Sequence, residues 1–179
     1  MKGEVAGSVV LGVTPGWAAC GWALVRLTPD GDGVLQAGVI RTRSAYRSAD
    51  SVTADMMRRG RMLSAQLRVV AQREQLVAIV RLDGGLAEEL DHRVYGSLDA
   101  LALELNVPTY EEAHIARSTA LVSARCGMER LVELLDDDEV TEALRGRAIE
   151  AVALVLTAAD REPKLIESRG LIRRAGRET

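Results

Sequence analysis

Residues Ser8 to Leu27 read S-V-V-L-G-V-T-P-G-W-A-A-C-G-W-A-L-V-R-L, the pattern of a buried strand, a tight turn and a second strand. Val9, Val10, Leu11 and Val13 form a short apolar run rich in β-branched residues, the pattern of a strand packed on both faces. Thr14-Pro15-Gly16 interrupts it. The proline presets φ and the glycine is free to take positive values, so a tight turn is expected. From Cys20 to Leu27 a second apolar strand resumes, predicted to pair antiparallel with the first. A turn directly after a buried first strand is a rigid place from which to hold a reacting group.

Outward from this core, Thr28-Pro29-Asp30-Gly31-Asp32-Gly33 is a turn cluster that leads into a third strand, Val34 to Thr42, making a β-meander. Ser44 to Ser51 is polar and reads as a loop. A helix is predicted from Thr53 to Gln72, with Met56, Leu63, Leu67 and Val70 as its apolar stripe. Glu74 to Val80 reads as a strand that returns parallel to the first after this helical crossover. Leu82 to Arg93 is acidic, contains Gly84-Gly85 and reads as a loop or lid. Val94 to Leu105 has helical periodicity through Tyr95, Leu98, Leu101, Ala102 and Leu105, a stripe that also offers a surface for pairing two copies. Asn106 ends that helix, and Val107 to Tyr110 is a strand candidate. Helices follow at about Ile115–Ser123, Met128–Leu135 and Val140–Ala159. Past Asp160 the chain contains Pro163 and many charges, so the division expected is one domain over 1–160 and a basic, flexible tail over 161–179.

A chain of 179 residues fits one domain with a substantial core. Phe is absent and aromatics make up only 3%, so that core must be built from Val, Leu, Ile and Ala. The two cysteines, Cys20 and Cys126, have neither metal nor redox spacing and suit a reducing cytoplasm. Met1 to Gly7 is too short and polar to be a signal peptide, and no apolar run approaches membrane-spanning length, so no membrane partner is expected. A net charge of −3 argues against a uniformly basic nucleic-acid binder, though not against one with its positive charge gathered on one face.

Gly12-Val13-Thr14-Pro15-Gly16, followed by Gly21-Trp22-Ala23, resembles the opening of the RuvC family of Holliday-junction resolvases. That family reads G-(I/V)-D-P-G and then G-(W/Y)-A. The resemblance runs from about Val9 to Ala159 and lies chiefly in the order of the pieces. Val107-Pro108-Thr109-Tyr110-Glu111, with Arg117 and Thr119 beyond, is similar to the family's fifth strand and its lysine-bearing segment, Arg117 standing in place of the lysine. Ser168-Arg169-Gly170-Leu171 is similar to its C-terminal tail. The fold this implies is α/β, an RNase H-like mixed β-sheet flanked by helices, of RuvC type. The activity it implies is that of a homodimer that binds four-way DNA junctions and cuts them symmetrically with Mg²⁺.

Two-metal phosphodiester hydrolysis needs carboxylates that converge on two cations about 4 Å apart. The family pattern takes one acid from the first strand, one from the end of the fourth strand and two from the last helix. The first maps to Thr14, whose neutral hydroxyl is a far weaker Mg²⁺ ligand than a carboxylate. The second maps to Val80, with Arg81 after it and Asp83 as the nearest acid, reachable through a bulge. The last pair maps to Arg147 and Glu150, ahead of the apolar run Ala151 to Leu156. Only Glu150 retains a carboxylate, and an ion pair with Arg147 or Arg81 is its plainest structural role. No metal site is expected from this set. The run Asp136-Asp137-Asp138-Glu139 reads as a solvated helix N-terminus, where negative charge suits the dipole. His92 and His114 stand singly without ligand spacing and read as surface or structural residues. Neither a G-x-S-x-G nor a P-loop is present.

Charge is segregated along the chain. Arg41, Arg43, Arg47, Arg58, Arg59, Arg61, Arg68 and Arg73 fall in one span, against Asp50 and Asp55 alone. With Arg117, these form a candidate surface for a phosphate backbone, or else a solvated face in a chain that uses Arg for Lys. Three readings of function follow. The first is a catalytically degenerate RuvC-like protein that binds branched DNA or a protein partner without cutting. The second is an active Mg²⁺-dependent resolvase with relocated acids, Asp83 and Glu150. The third is a protein-interaction module without nucleic acid.

Overall fold

A computed structural model describes residues 7–16, 18–43, 52–83, 89–115, 117–136 and 140–166. The opening run becomes β1 (Ser8–Thr14), buried at every residue. β2 (Ala19–Leu27) and β3 (Gly33–Arg41) complete the meander, and α1 (Val52–Ala71) carries the chain back to β4 (Leu76–Leu82). Then come α2 (Glu89–Leu105), β5 (Thr109–Glu112), α3 (Ser118–Arg125), α4 (Glu129–Leu134) and α5 (Glu142–Arg161). The sheet order is β3-β2-β1-β4-β5. The meander strands pair antiparallel, while β4 lies parallel to β1 and β5 parallel to β4.

Alternation along β1 splits the core in two. Val9, Leu11 and Val13 point to a cluster with Leu63, Leu67 and Val70 of α1 and Val94, Leu98 and Leu101 of α2. Val10 points the other way, to a cluster built on Ala151 through Ala159 of α5 with Val122 of α3 and Leu131 of α4. Helices therefore cover both faces, which is why β1 and β4 read as nearly unbroken apolar runs.

Several boundaries differ from expectation. β4 runs two residues further than Val80, because pairing with β5 continues through Leu82↔Glu112. α2 begins at Glu89, so residues 89–93 are helical and not part of a loop or lid; 84–88 lie outside the described residues. The stripe Val94, Tyr95, Leu98, Leu101 and Ala102 is at most 9% exposed, so it is core and gives no pairing face. Asn106 does end α2, with φ at +54°, a left-handed conformation that asparagine tolerates. Beyond α5 the chain stays packed through Leu165, which is 2% exposed. The basic tail from 167 lies outside the described residues, as do Arg47, Asp50 and the acids 137–139.

The feature that builds the site is the close approach of α5 to the sheet. A Cβ at Gly12 would overlap the carbonyl oxygen of Ala151 and come within 2.8 Å of Val155 Cγ2. A Cβ at Gly21 would lie 2.5 Å from the Arg147 carbonyl oxygen and 2.5 Å from Thr14 Oγ1. Two glycines, Gly12 on β1 and Gly21 opposite Thr14 on β2, thus let the helix backbone settle onto the strands. The first turns of α5 are thereby carried over the β1–β2 turn.

Candidate functional site at the end of the central strands

Thr14, the last residue of β1, is 1% exposed. Its hydroxyl donates to the Arg147 carbonyl oxygen at 2.9 Å and lies 3.4 Å from the Gly21 carbonyl oxygen. The side chain therefore ties β1 to α5, and its oxygen faces two other oxygens. The Arg147 guanidinium lies over the turn itself, with Nη1 2.6 Å from where a Cβ of Gly16 would stand. Among the described residues no carboxylate pairs with it.

The β1–β4 register sets which residues of β4 stand beside the end of β1. Val80 lies opposite Gly12, and Arg81 opposite Val13, so the residue level with Thr14 is Leu82. Val80 is fully buried in the α5-side core, whereas Leu82 lines the groove. Neither is a ligand. Asp83 does not bulge back. Its N–H donates to the Glu112 carbonyl at 2.7 Å, continuing the β5 ladder, and alternation points it to the face away from α5.

Glu150 pairs with neither Arg147 nor Arg81. Its carboxylate, 13% exposed, is bound by His114 Nδ1. Arg81 is engaged elsewhere, at 2.7 Å from Asp99 and 2.6 Å from Glu111, and its guanidinium sits 5.1 Å from the centre of the Tyr95 ring. His114 had no signal in the sequence beyond its place just after β5. The segment that leaves that strand swings it onto α5. A second carboxylate passed over in the sequence, Glu112, is 5% exposed and faces the helical layer. Arg161 Nη1 approaches its Oε2 to 2.8 Å, as an ionic contact rather than an aligned hydrogen bond.

These groups surround a groove of about 500 Å³, bounded by Leu82 of β4, His114 and Ile115, Ser118 and Thr119 of α3, and Gly146, Arg147 and Glu150 of α5. A hydroxyl committed to carbonyls, an aliphatic side chain, a guanidinium and one paired carboxylate do not fit a pair of Mg²⁺ ions. Among the described residues no three His, Cys, Asp or Glu side chains come together as a metal would need.

The candidate DNA-contacting arginines divide. Arg41, Arg43, Arg61 and Arg117 are exposed. Arg59 is structural, because its side chain is 11% exposed, its Nε donates to Thr42 Oγ1 at 2.8 Å, and Asp55 lies 3.8 Å away. Arg58, 47% exposed, bonds Asp55 at 2.7 Å and the Arg43 carbonyl at 2.6 Å. Asp55 is buried, and with its arginines it fastens the start of α1 to the chain leaving β3. Arg68 bonds Glu104 of α2 at 2.8 Å, and Arg73 bonds Gln36 at 2.6 Å.

No protein-family model matches this chain, and no curated protein matches it by sequence. Solved structures do match its fold. Thermus thermophilus RuvC superposes with a TM-score of 0.57 at 16% identity, over 84% of this chain and 95% of that one. T. thermophilus RuvC in complex with Holliday junction substrate gives 0.56 at 19% identity, over 84% and 94%. Fowlpox virus resolvase in complex with substrate Holliday junction DNA gives 0.53 at 6% identity, over 85% and 99%. The fold is the RNase H-like one of the Holliday-junction resolvases. Its nearer type is that of RuvC, with the mixed sheet and flanking helices described above. Among the described residues no helix is long and apolar enough to cross a membrane.

Proposed function

We propose that this protein binds branched DNA, with the four-way junction as its preferred form, and does not cut it by two-metal hydrolysis. One observation carries the reading: the Arg147 guanidinium lies over the turn after β1, where a two-metal enzyme needs carboxylates. A cation fixed there repels Mg²⁺ but suits a polyanion. The fold supports the choice of ligand, since RuvC and fowlpox virus resolvase have it and are described with Holliday junction DNA. The exposed Arg41, Arg43, Arg61 and Arg117 supply candidate phosphate contacts beyond the groove.

The test has two arms. In the first, a four-way junction is incubated with protein and Mg²⁺ or Mn²⁺. Intact strands are expected, and symmetric nicks that vanish in Glu150→Gln would overturn the reading. In the second, junction and duplex of equal length are titrated at several salt concentrations. Tighter junction binding is expected, and Arg61→Ala should reduce the log–log salt slope by about one. Arg59→Ala should instead lower stability. Wild-type protein that binds neither DNA at low salt would leave an interaction module as the remaining reading.

A further inference from the structure

We propose that the groove beside Thr14 holds one backbone phosphate of a DNA strand directly, with Arg147 as its anchor and no metal ion between them. This rests on the branched-DNA reading and specifies how the strand is held at that site.

The first observation is charge without a partner. Glu150 lies one helical turn beyond Arg147, the spacing at which an Arg–Glu pair would ordinarily form on a helix. His114 occupies that carboxylate instead. The guanidinium is left over Gly16 with no carboxylate among the described residues. A guanidinium fork matches two oxygens of a phosphate and is weakly hydrated, so little is lost in bringing the two together.

The second observation is independent of Arg147. The N-terminus of α3 opens on the same groove through Ser118 and Thr119. Its N-cap residue, Arg117, makes no side-chain hydrogen bond to the first-turn amides. The Ser118 hydroxyl does not cap them either, because it donates back to the Ile115 carbonyl at 2.6 Å. The Ser118 N–H is taken by the Ile115 carbonyl at 3.3 Å, so what this helix start offers an anion is the rest of its first turn and the positive end of the helix dipole. Arg147 and the α3 terminus thus approach one groove from two elements, and its volume of about 500 Å³ admits a phosphodiester with its sugars. Among the described residues that line the groove Glu150 is the one acid, and His114 is already bound to it. In a two-metal enzyme the cations neutralise the phosphate, whereas here the protein supplies the positive charge itself.

The experiment compares wild type, Arg147→Ala and Arg147→Lys on a labelled four-way junction, in EDTA and in Mg²⁺. Wild-type affinity should be no weaker in EDTA. Arg147→Ala should bind about tenfold more weakly, as for loss of a charge-assisted hydrogen bond, with a salt slope smaller by about one. Arg147→Lys should keep the slope while losing part of the affinity. The Arg147 side chain is exposed and Thr14 bonds only its backbone carbonyl, so all three proteins should melt alike. Replacing successive phosphates by methylphosphonate should then reveal one position whose neutralisation weakens wild type but costs Arg147→Ala nothing further.

Junction binding with unchanged affinity and slope in Arg147→Ala would overturn the groove proposal and leave the DNA reading standing. Were wild type to bind no DNA, that reading would fall. A thymidine dinucleotide and inorganic phosphate would then decide the groove through the His114 ring resonances. Shifts in wild type that disappear in Arg147→Ala would keep it as a phosphate site, with the dinucleotide responding more strongly if the diester is the ligand. Ring resonances that ignore both probes would remove it.

Discussion

Replacing Thr14 by aspartate would put a carboxylate at the end of β1, and the structure says what this should do here. The threonine hydroxyl donates to the Arg147 carbonyl at 2.9 Å and lies 3.4 Å from the Gly21 carbonyl, in a position 1% exposed. Loss of the donor alone costs about 1 kcal/mol, the expected effect of Thr14→Val. An ionised carboxylate adds a buried charge aimed at two carbonyl oxygens, and uncompensated charges of this kind cost about 3–5 kcal/mol. The Arg147 guanidinium over Gly16 is close enough to offset part of that. The net expectation for Thr14→Asp is a loss of about 2–4 kcal/mol, a large share of a typical domain's stability. The sign of its pH dependence is fixed. Facing carbonyls, the new acid has a raised folded-state pKa, so the penalty is full above that value. It shrinks as pH falls and is gone below the unfolded value of about 3.9, where the protonated acid can donate again. Urea unfolding followed by tryptophan fluorescence, at neutral and mildly acidic pH, measures both quantities, and calorimetry with Mg²⁺ measures any gain of metal binding. A variant as stable as wild type at neutral pH that takes up Mg²⁺ stoichiometrically would refute the account of this site.

Two further outcomes are expected. Gly12→Ala forces a methyl group into the Ala151 carbonyl and within 2.8 Å of Val155 Cγ2, so α5 must lift from β1. Thermal or urea unfolding should show a loss of about 3 kcal/mol or more, at the upper end for overpacking, and a loss under about 1 kcal/mol would mean that the helix is not so tightly seated. The Cys126 thiol should be slow to alkylate at pH 8, because burial, with Asp32 adding to it, pushes its pKa up to about 11. Its reaction rate should climb with pH toward that value, and rapid labelling of the native protein at pH 8 would contradict the half-buried placement beside Asp32.

The opening strand, the turn at Thr14-Pro15-Gly16 and the meander were legible in the sequence because their causes are local: a β-branched run, a preset φ and turn residues within a few positions of one another. The stripes of α1 and α2 were legible for the same reason, since helical periodicity is local too, although it does not say what covers a stripe. For α2 the answer was the sheet and α1, not a second copy. That Thr14 and Arg147 are not acids could likewise be read directly, since it depends on residue identity alone. What the tertiary structure decided was partnership. Leu82, rather than Val80, stands level with Thr14 because parallel register is set by how β4 docks on β1, which no neighbouring residue encodes. Glu150 bonds His114, 36 positions away, and Thr14 bonds the backbone of Arg147, 133 positions away. A charged side chain has many partners available in sequence but takes the one that packing brings within about 3 Å. Here Gly12 and Gly21 allow the close seating of α5, and that seating turned a row of unmatched residues into one groove.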